Sequence, residues 1–182
     1  MRWYALMVKR RSEKTIALIL EHKGHRGFVP MCCSRERRSD RIVETEEPLF
    51  PGYLFCRFDL NDRRVPILTT PGVIRILGVG NTPSPVADEE VAAIQRIVSS
   101  GLPAQKWRYV DAGSAVQIMS GSLAGVKGLF VKAKNGDRLV VSVTLLRRSV
   151  AVEIDAALVA PIWGARLSSG TEGARQSVRS VA

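Results

Sequence analysis

The stretch Pro48-Leu49-Phe50-Pro51-Gly52-Tyr53-Leu54-Phe55-Cys56-Arg57-Phe58 is the densest aromatic and apolar segment in the first half of the chain. Successive side chains of a β-strand point to opposite faces of its sheet. One face of the predicted strand is formed by Tyr53, Phe55 and Arg57, and the other by Leu54, Cys56 and Phe58. Because both faces are largely apolar, we expect this strand at the centre of a sheet that is covered on both sides.

The residues around this stretch predict alternating strands and helices. Residues 3–8 form an aromatic and apolar run typical of a buried strand, and the helical spacing of Ile16, Ile19 and Leu20 predicts a helix over 13–23. The other predicted elements are a strand over 27–31, an exposed hairpin or loop over 34–47, a short helix over 61–68, a strand over 73–77 and a helix capped by Asp88. This order predicts an α+β fold that begins with an α/β sandwich over 1–100, an antiparallel sheet with flanking helices.

The second half of the chain has a different pattern. A linker is expected over 101–109, and residues 163–182 are expected to be a disordered tail because they offer little to bury. Four Val-rich runs lie between them, at 116–119, 128–134, 139–146 and 150–154. Short strands at this spacing are typical of a small β-barrel, which we place over 110–162. Asn135-Gly136 predicts a hairpin turn, because both residues tolerate a positive φ.

The charge balance favours anionic partners. The 182 residues include 27 Lys and Arg against 17 Asp and Glu, a formal net charge of +10, which favours nucleic acid or an acidic protein face. No apolar run approaches the roughly 20 residues that cross a bilayer, and Cys32, Cys33 and Cys56 do not suggest a disulfide framework. We therefore expect a cytoplasmic, monomeric protein that has no membrane partner.

Several residues could support catalysis or metal binding, but each has a simpler interpretation. His22 and His25 lack a Cys or carboxylate at zinc-like spacing, so two solvated histidines at a helix end are favoured over a metal site. Cys32 could be a nucleophile, but no local signature supports that role. The glycines between 113 and 128 do not match a phosphate-binding loop and are interpreted as turn and bulge positions. We expect no catalytic residue, no metal and no cofactor, so the protein is predicted not to be an enzyme.

Three segments of the chain match one family. They are Trp3-Tyr4, the stretch Pro48-Leu49-Phe50-Pro51-Gly52-Tyr53-Leu54-Phe55, and the pattern Gly113-x-x-Val116-x-Ile118-x-x-Gly121-x-Leu123-Ala124-Gly125-x-x-Gly128. The first two resemble the N-terminal domain of the NusG family, and the third resembles a KOW motif. The resemblance covers residues 3–162, implies an SH3-like fold for the barrel, and implies a transcription elongation or antitermination factor. The Pro-Leu-Phe-Pro form is more similar to the specialised, RfaH-like paralogues.

The resemblance implies that RNA polymerase is the main partner. NusG-like proteins bind the clamp helices of the largest polymerase subunit through an apolar patch and suppress pausing or termination. The matching residues here are Trp3, Tyr4, Phe50, Pro51 and Tyr53. Thr69 and Thr70 are candidates for a second contact across the polymerase cleft. Aromatic anchors commonly supply much of the binding energy at such interfaces.

The resemblance also implies a basic face that contacts upstream DNA or the exposed non-template strand. The matching residues are Lys9, Arg10, Arg11, Lys14 and Lys23. Phosphate contacts of this kind add salt-dependent affinity without sequence preference. In the family, the KOW barrel recruits a ribosomal protein or Rho. The KOW residues here are Gly113, Val116, Ile118, Gly121, Gly125 and Gly128.

A second hypothesis is a KOW-type RNA- or ribosome-binding protein in which the barrel makes the main contact. Residues 109–182 alone would then bind RNA with a steep salt dependence.

RfaH hides its polymerase-binding patch behind a C-terminal domain that can turn helical. Val and Gly are poor helix formers, so we predict a stable β-barrel here without such a switch.

Overall fold

Antiparallel strands dominate the computed structural model, which describes residues 1–38, 41–80, 82–107, 113–132 and 136–162. The first part of the chain contains β1 (Arg2–Val8), α1 (Glu13–His22), β2 (Arg26–Phe28), β3 (Met31–Arg38), β4 (Arg41–Pro48), β5 (Tyr53–Phe58), α2 (Leu60–Leu68), β6 (Val73–Ile76), β7 (Gly78–Val79), β8 (Thr82–Pro83), β9 (Pro85–Val86) and α3 (Asp88–Ser99). The second part contains β10 (Ala104–Trp107), β11 (Ser114–Ile118), β12 (Lys127–Val131), β13 (Arg138–Val143), β14 (Arg148–Glu153) and β15 (Val159–Pro161), with 3-10 turns at Thr144–Leu146 and Ala156–Leu158.

The N-terminal sheet has the strand order β2-β5-β1-β6, and β9 also pairs with β1. Strand β5 therefore lies between β1 and β2, as predicted for a strand that is apolar on both faces. Tyr53 and Phe55 of β5 pair with Met7 and Ala5 of β1. Phe55 belongs to one buried cluster and its neighbour Leu54 to another, so the predicted division into two faces is confirmed.

Helices cover both faces of the N-terminal sheet. Ile16 and Leu20 of α1 pack in the cluster that contains Leu54, whereas Val91 and Ile94 of α3 pack in the cluster on the other face. Each fully buried Ile or Leu side chain contributes about 1.5–3 kcal/mol relative to an exposed one. The predicted α/β sandwich with flanking helices is therefore present, and its stability depends on both helices remaining packed on the sheet.

Some predicted element boundaries differ from the structure. The strand expected over 27–31 is divided, because β2 ends at Phe28 and β3 begins at Met31. Pro30 lies between them and has no amide proton to donate to a ladder. Asp88 was predicted to cap a helix, but it is the first residue of α3 and Ala87 holds the N-cap position. Of the exposed hairpin or loop expected over 34–47, the hairpin is present as the antiparallel pair β3 and β4.

The C-terminal sheet has the strand order β10-β14-β13-β12-β11-β15. Strands β11 to β14 correspond to the four predicted Val-rich runs, and β12 and β13 pair across the predicted hairpin, whose Asn135 lies outside the described residues. The expected linker needs correction, because Ala104–Trp107 pairs with β14 as strand β10. The expected tail over 163–182 also lies outside the described residues, and barrel closure stays a prediction.

One apolar cluster joins the two sheets. Its buried members, which we call the shared cluster, include Phe50, Phe55 and Ile94 from the first part of the chain and Val116, Val141 and Val152 from the second. The two sheets are thus held together by a common core, and the predicted domain boundaries at 100 and 110 stay predictions. Among the described residues, no helix is long and apolar enough to cross a membrane.

Candidate functional site

Three predicted functional segments meet at one end of the N-terminal sheet. The backbone N–H of Val8 donates to the carbonyl of Gly52 at 2.9 Å, and the N–H of Lys9 donates to the carbonyl of Gly72 at 2.8 Å. These two hydrogen bonds place residues 9–11 between the turns that contain residues 50–53 and 69–72. We call these three segments together the basic end.

The turn at Gly52 is fixed by a buried carboxylate. Glu13 is 5% exposed, and its Oε1 accepts a hydrogen bond from the Gly52 N–H at 2.8 Å. Gly52 has φ +83°, and an added Cβ would lie 3.3 Å from the Arg10 side chain. Glycine is favoured there because L-residues rarely adopt positive φ. No local signal in the sequence around Glu13 indicates this partner, which lies 39 positions away.

Tyr53 is the aromatic residue of the basic end that remains half-buried rather than buried. The guanidinium carbon of Arg148, from the C-terminal sheet, lies 5.3 Å from the centre of the Tyr53 ring. Phe50 is 1% exposed and packs edge-to-face on Phe55 at 5.9 Å. The expectation that Phe50 forms part of a surface patch is thus not met in this conformation, because its ring lies in the shared cluster. Pro51, which follows Phe50 in the same turn, is half-buried.

Trp3 and Tyr4 lie away from the basic end, near the start of β1. Both are buried, and strand alternation sends them to opposite faces. Trp3 belongs to the shared cluster, whereas Tyr4 lies in the other cluster with its ring 4.7 Å from that of Phe58. The structure therefore corrects the expectation that these two residues share one exposed patch with Tyr53.

The hydroxyls of Thr69 and Thr70 are engaged at the end of α2. Thr70 is buried, donates to the Pro66 carbonyl at 2.9 Å and accepts from Lys23 Nζ at 2.9 Å. Thr69 is exposed and donates to the Val65 carbonyl at 3.0 Å. Thr70 and Lys23 therefore stabilise the packing of α1 on α2, and in this conformation Thr69 is the threonine of the pair that a partner can reach.

The exposed positive charge of the site is concentrated in residues 9–11. Lys9, Arg10 and Arg11 are all exposed, and Arg11 adopts φ +64°, a conformation that L-residues rarely take. Lys14 instead forms an ion pair with Glu46 of β4. The structure thus brings together three of the five predicted DNA contacts and gives Lys14 and Lys23 partners within the protein.

The glycines of the predicted KOW motif occupy turn and close-approach positions. Gly121 and Gly125 have φ of +84° and +82°, and the Gly125 N–H donates to the Ile118 carbonyl at 2.7 Å. An added Cβ at Gly128 would lie 2.7 Å from the Val140 carbonyl oxygen. The buried motif residues of β11 are Val116 and Ile118. Gly113, just before β11, also has a positive φ, and an added Cβ there would lie 3.5 Å from Leu129.

The histidines and cysteines considered for catalysis or metal binding can now be assessed by their burial and by the direction of their pKa shifts. The prediction of two solvated histidines is wrong for His25, which is buried. Burial lowers the pKa of His25, as do the neighbouring charges of Arg63 and Lys23. Burial is the main cause that raises the pKa of Cys32, the candidate nucleophile, and burial raises the pKa of Cys56 to about 12. Neither thiol is therefore activated toward its thiolate. Within the described ranges, no group of three or more His, Cys, Asp or Glu could hold a metal ion.

Comparison with known proteins identifies the family of this chain. Residues 1–95 match the family model described as "Transcription termination factor nusG". The chain belongs to the NusG family. Transcription termination/antitermination protein NusG of Thermus thermophilus is 32% identical over 66% of this chain and 70% of the relative. The protein of the same name from Lactococcus lactis is 30% identical over 70% of this chain and 70% of the relative.

The NusG fold is supported by a solved structure as well. The structure described as "Domain interaction in Thermotoga maritima NusG" has a TM-score of 0.51 and 24% identity, and the match covers 88% of this chain and 97% of that one. The family model and the two relatives confirm the resemblance to the NusG family, and the chain is a NusG-like transcription elongation or antitermination factor. Its closer likeness to the RfaH-like paralogues stays a prediction. The KOW motif over 113–128 and its SH3-like fold stay predictions.

Proposed function

We propose that this NusG-family factor binds RNA polymerase at the clamp helices of the largest subunit, with the basic end and Tyr53 making the contact. The observation that carries the proposal is the convergence of residues 9–11, 50–53 and 69–72 at one end of the N-terminal sheet. Membership in a family of transcription factors supports a protein that makes and breaks no bonds and works where polymerase is found, in the cytoplasm.

Tyr53 and Pro51 provide the polymerase contact in this proposal. An aromatic ring with a polar tip gains binding energy when a partner covers it, and Tyr53 is held in place by its strand pairing with Met7. Phe50 lies behind it in the shared cluster. Thr69 is the exposed candidate for a second contact across the cleft.

Lys9, Arg10 and Arg11 provide the nucleic-acid contact. Their side chains are exposed beside the turn at Gly52, so upstream or non-template DNA that passes this end of the sheet would meet three positive charges. Such contacts strengthen binding without sequence preference. A processivity factor that must follow polymerase over any sequence needs this kind of contact.

The polymerase contact is tested with Tyr53→Ala in a binding titration against core RNA polymerase. We expect affinity to fall about tenfold or more, in the range found for buried aromatic anchors. The control is Leu158→Ala, which truncates an exposed apolar side chain of the C-terminal part and should leave affinity unchanged. Equal affinity of the Tyr53→Ala variant and the unmodified chain would show that the assigned patch is wrong.

The DNA contact is tested with Arg10→Gln plus Arg11→Gln on an elongation complex that carries upstream DNA. Each lost phosphate contact lowers the slope of log affinity against log salt by about 1, so we expect a decrease of about 1–2. The matched control is Lys127→Gln plus Lys132→Gln, which removes two exposed charges from the C-terminal sheet. An unchanged slope in the arginine variant would rule out this contact.

Recruitment of a ribosomal protein or Rho by the C-terminal sheet remains a prediction from the family resemblance. The alternative of a KOW-type RNA- or ribosome-binding protein places the main contact on the same sheet. The Tyr53→Ala titration separates it from the polymerase proposal, because the alternative predicts no loss of polymerase binding.

A further inference from the structure

A cavity of about 380 Å³ lies where the base of the β3–β4 hairpin meets the second part of the chain. Its lining comes from both sides: Cys32, Cys33 and Glu47 from the hairpin, and residues 103–106, Arg138 and Glu153 from the second part. Cavities that bind small molecules commonly measure about 300–1,000 Å³, so this one has room for a small metabolite. Its lining shares no residue with the basic end.

Two of the four charged side chains that line this cavity satisfy each other. Nζ of Lys106 donates a hydrogen bond to Oε2 of Glu47 at 2.7 Å. That hydrogen bond, and then the charge of Lys106, lower the pKa of the Glu47 carboxyl. Lys106 and Glu47 therefore neutralise each other, and the other charges of the cavity wall are those of Arg138 and Glu153.

Arg138 and Glu153 are direct neighbours in the C-terminal sheet, but they form no ion pair. They are Cα partners on β13 and β14, and side chains of directly opposed residues lie on the same face of a sheet. Among the residues that the structure describes, the ion pairs involve neither of these two side chains. One guanidinium and one carboxylate thus remain available side by side in the cavity wall.

The guanidinium of Arg138 is held by an aromatic ring and lacks an acceptor. Its carbon lies 5.3 Å from the centre of the Trp107 ring, which is a cation–π distance. The Nε atom of Arg138 is buried and has no hydrogen-bond partner within the described ranges. A buried donor without an acceptor is destabilising, and an oxygen atom of a ligand would satisfy it.

We propose that this cavity binds a free α-amino acid, with Arg138 holding its carboxylate and Glu153 holding its ammonium group. A carboxylate matches the fork of N–H donors on a guanidinium and can accept two parallel hydrogen bonds. A purely anionic ligand would meet the negative charge of Glu153, and a purely cationic ligand would leave Arg138 without an acceptor. A zwitterion satisfies both groups, because its two charges are adjacent as theirs are.

The uncharged part of the cavity wall indicates which side chain the amino acid carries. Cys32 is half-buried, and its Sγ donates to the Glu47 carbonyl at 3.4 Å. Burial is the main cause that raises the pKa of Cys32, so its thiol stays protonated. With Pro103 and Ala104 also in the lining, this wall favours an uncharged side chain. The ligand would contact both parts of the chain and stabilise the folded state by mass action.

The first test is thermal unfolding of the full chain with each of the common L-amino acids singly, at millimolar concentration. We expect an amino acid with an uncharged side chain to raise Tm by about 3–5 °C at about ten times its Kd. Its amide, which lacks the carboxylate, and its deaminated acid, which lacks the ammonium group, should each lose most of that shift. No saturable shift with any amino acid would overturn the proposal, and an equal shift with the deaminated acid would overturn the role of Glu153.

The second test measures binding of the most stabilising amino acid by isothermal titration calorimetry. We expect Arg138→Gln and Glu153→Gln each to raise Kd about tenfold or more, since each removes a charged hydrogen-bond partner. The matched controls are Arg26→Gln and Glu89→Gln, at exposed positions outside the cavity lining, which should bind like the unmodified chain.

Glu153→Gln is the variant that keeps the test valid if Arg138→Gln does not fold. Arg138→Gln also removes the contact with Trp107, whereas Glu153 is exposed. Unchanged affinity in Glu153→Gln, or in folded Arg138→Gln, would show that the assigned anchors are wrong. The polymerase contact is unaffected by either outcome, because it depends on other residues.

Discussion

At the residue scale, the contacts that build the basic end join positions far apart in the chain. The alternation of Tyr53 and Leu54 between two faces could be predicted, because strand geometry makes it a local property. The hydrogen bond from Gly52 to Glu13 could not, because nothing near Glu13 indicates its partner. The burial of Phe50 could not be predicted either, because an aromatic residue that precedes a proline can lie in a core or on a surface.

His25 should make the stability of the protein depend on pH. Its pKa is lowered in the folded state by burial and then by Arg63 and Lys23, so the folded protein favours the neutral ring. The stability that this preference contributes is present above the ordinary histidine pKa of about 6.5 and is lost as pH falls through the folded value. Urea unfolding between about pH 7.5 and pH 5 measures it.

The matched variants for this prediction are His25→Gln and His22→Gln. His25→Gln should flatten the decrease of unfolding free energy toward acid pH, whereas His22→Gln, at an exposed position of the same helix end, should keep it. A pH dependence that persists in full in His25→Gln would show that other groups cause it.

At the element scale, the pairing of β12 with β13 depends on one glycine. An added Cβ at Gly128 would lie 2.7 Å from the Val140 carbonyl oxygen, which is closer than such atoms approach without a backbone shift. We expect Gly128→Ala to lower the free energy of unfolding by about 1–3 kcal/mol, the usual range for overpacking. Chemical denaturation measures the change.

Gly27→Ala is the control for this element. Gly27 also lies in a strand, β2, but its added Cβ would meet Ala17 at an ordinary 3.4 Å. The variant should differ from the unmodified chain by much less than Gly128→Ala does. Equal effects of both substitutions would contradict the argument from close approach.

The elements that could be predicted are those with their own periodicity. Helix α1 and strands β11 to β14 carry helical or Val-rich patterns and were located within a few residues. Strands β10 and β15 are short and have no such pattern, so their pairing depends on the rest of the sheet. The order of strands in each sheet is a tertiary property and was open until the structure showed it.

At the scale of the whole molecule, the shared cluster should make the two sheets unfold together. Because Phe50 and Val141 belong to one buried cluster, loss of either half exposes apolar surface of the other. We expect calorimetry to show a single transition. Val141→Ala, in the C-terminal sheet, should shift that whole transition and lower stability by about 1–3 kcal/mol. Two transitions, of which only one shifts, would mean that the sheets are independent.

Strand β10 also sets how far the C-terminal sheet can move from the N-terminal sheet if the shared cluster opens. While Ala104–Trp107 stays paired with β14, the connecting segment is residues 101–103, which spans about 10 Å at full extension. If β10 also separates from β14, the connecting segment becomes residues 101–107 and spans about 25 Å. The pairing of β10 with β14 thus sets the maximum distance between the two sheets in such an opened form.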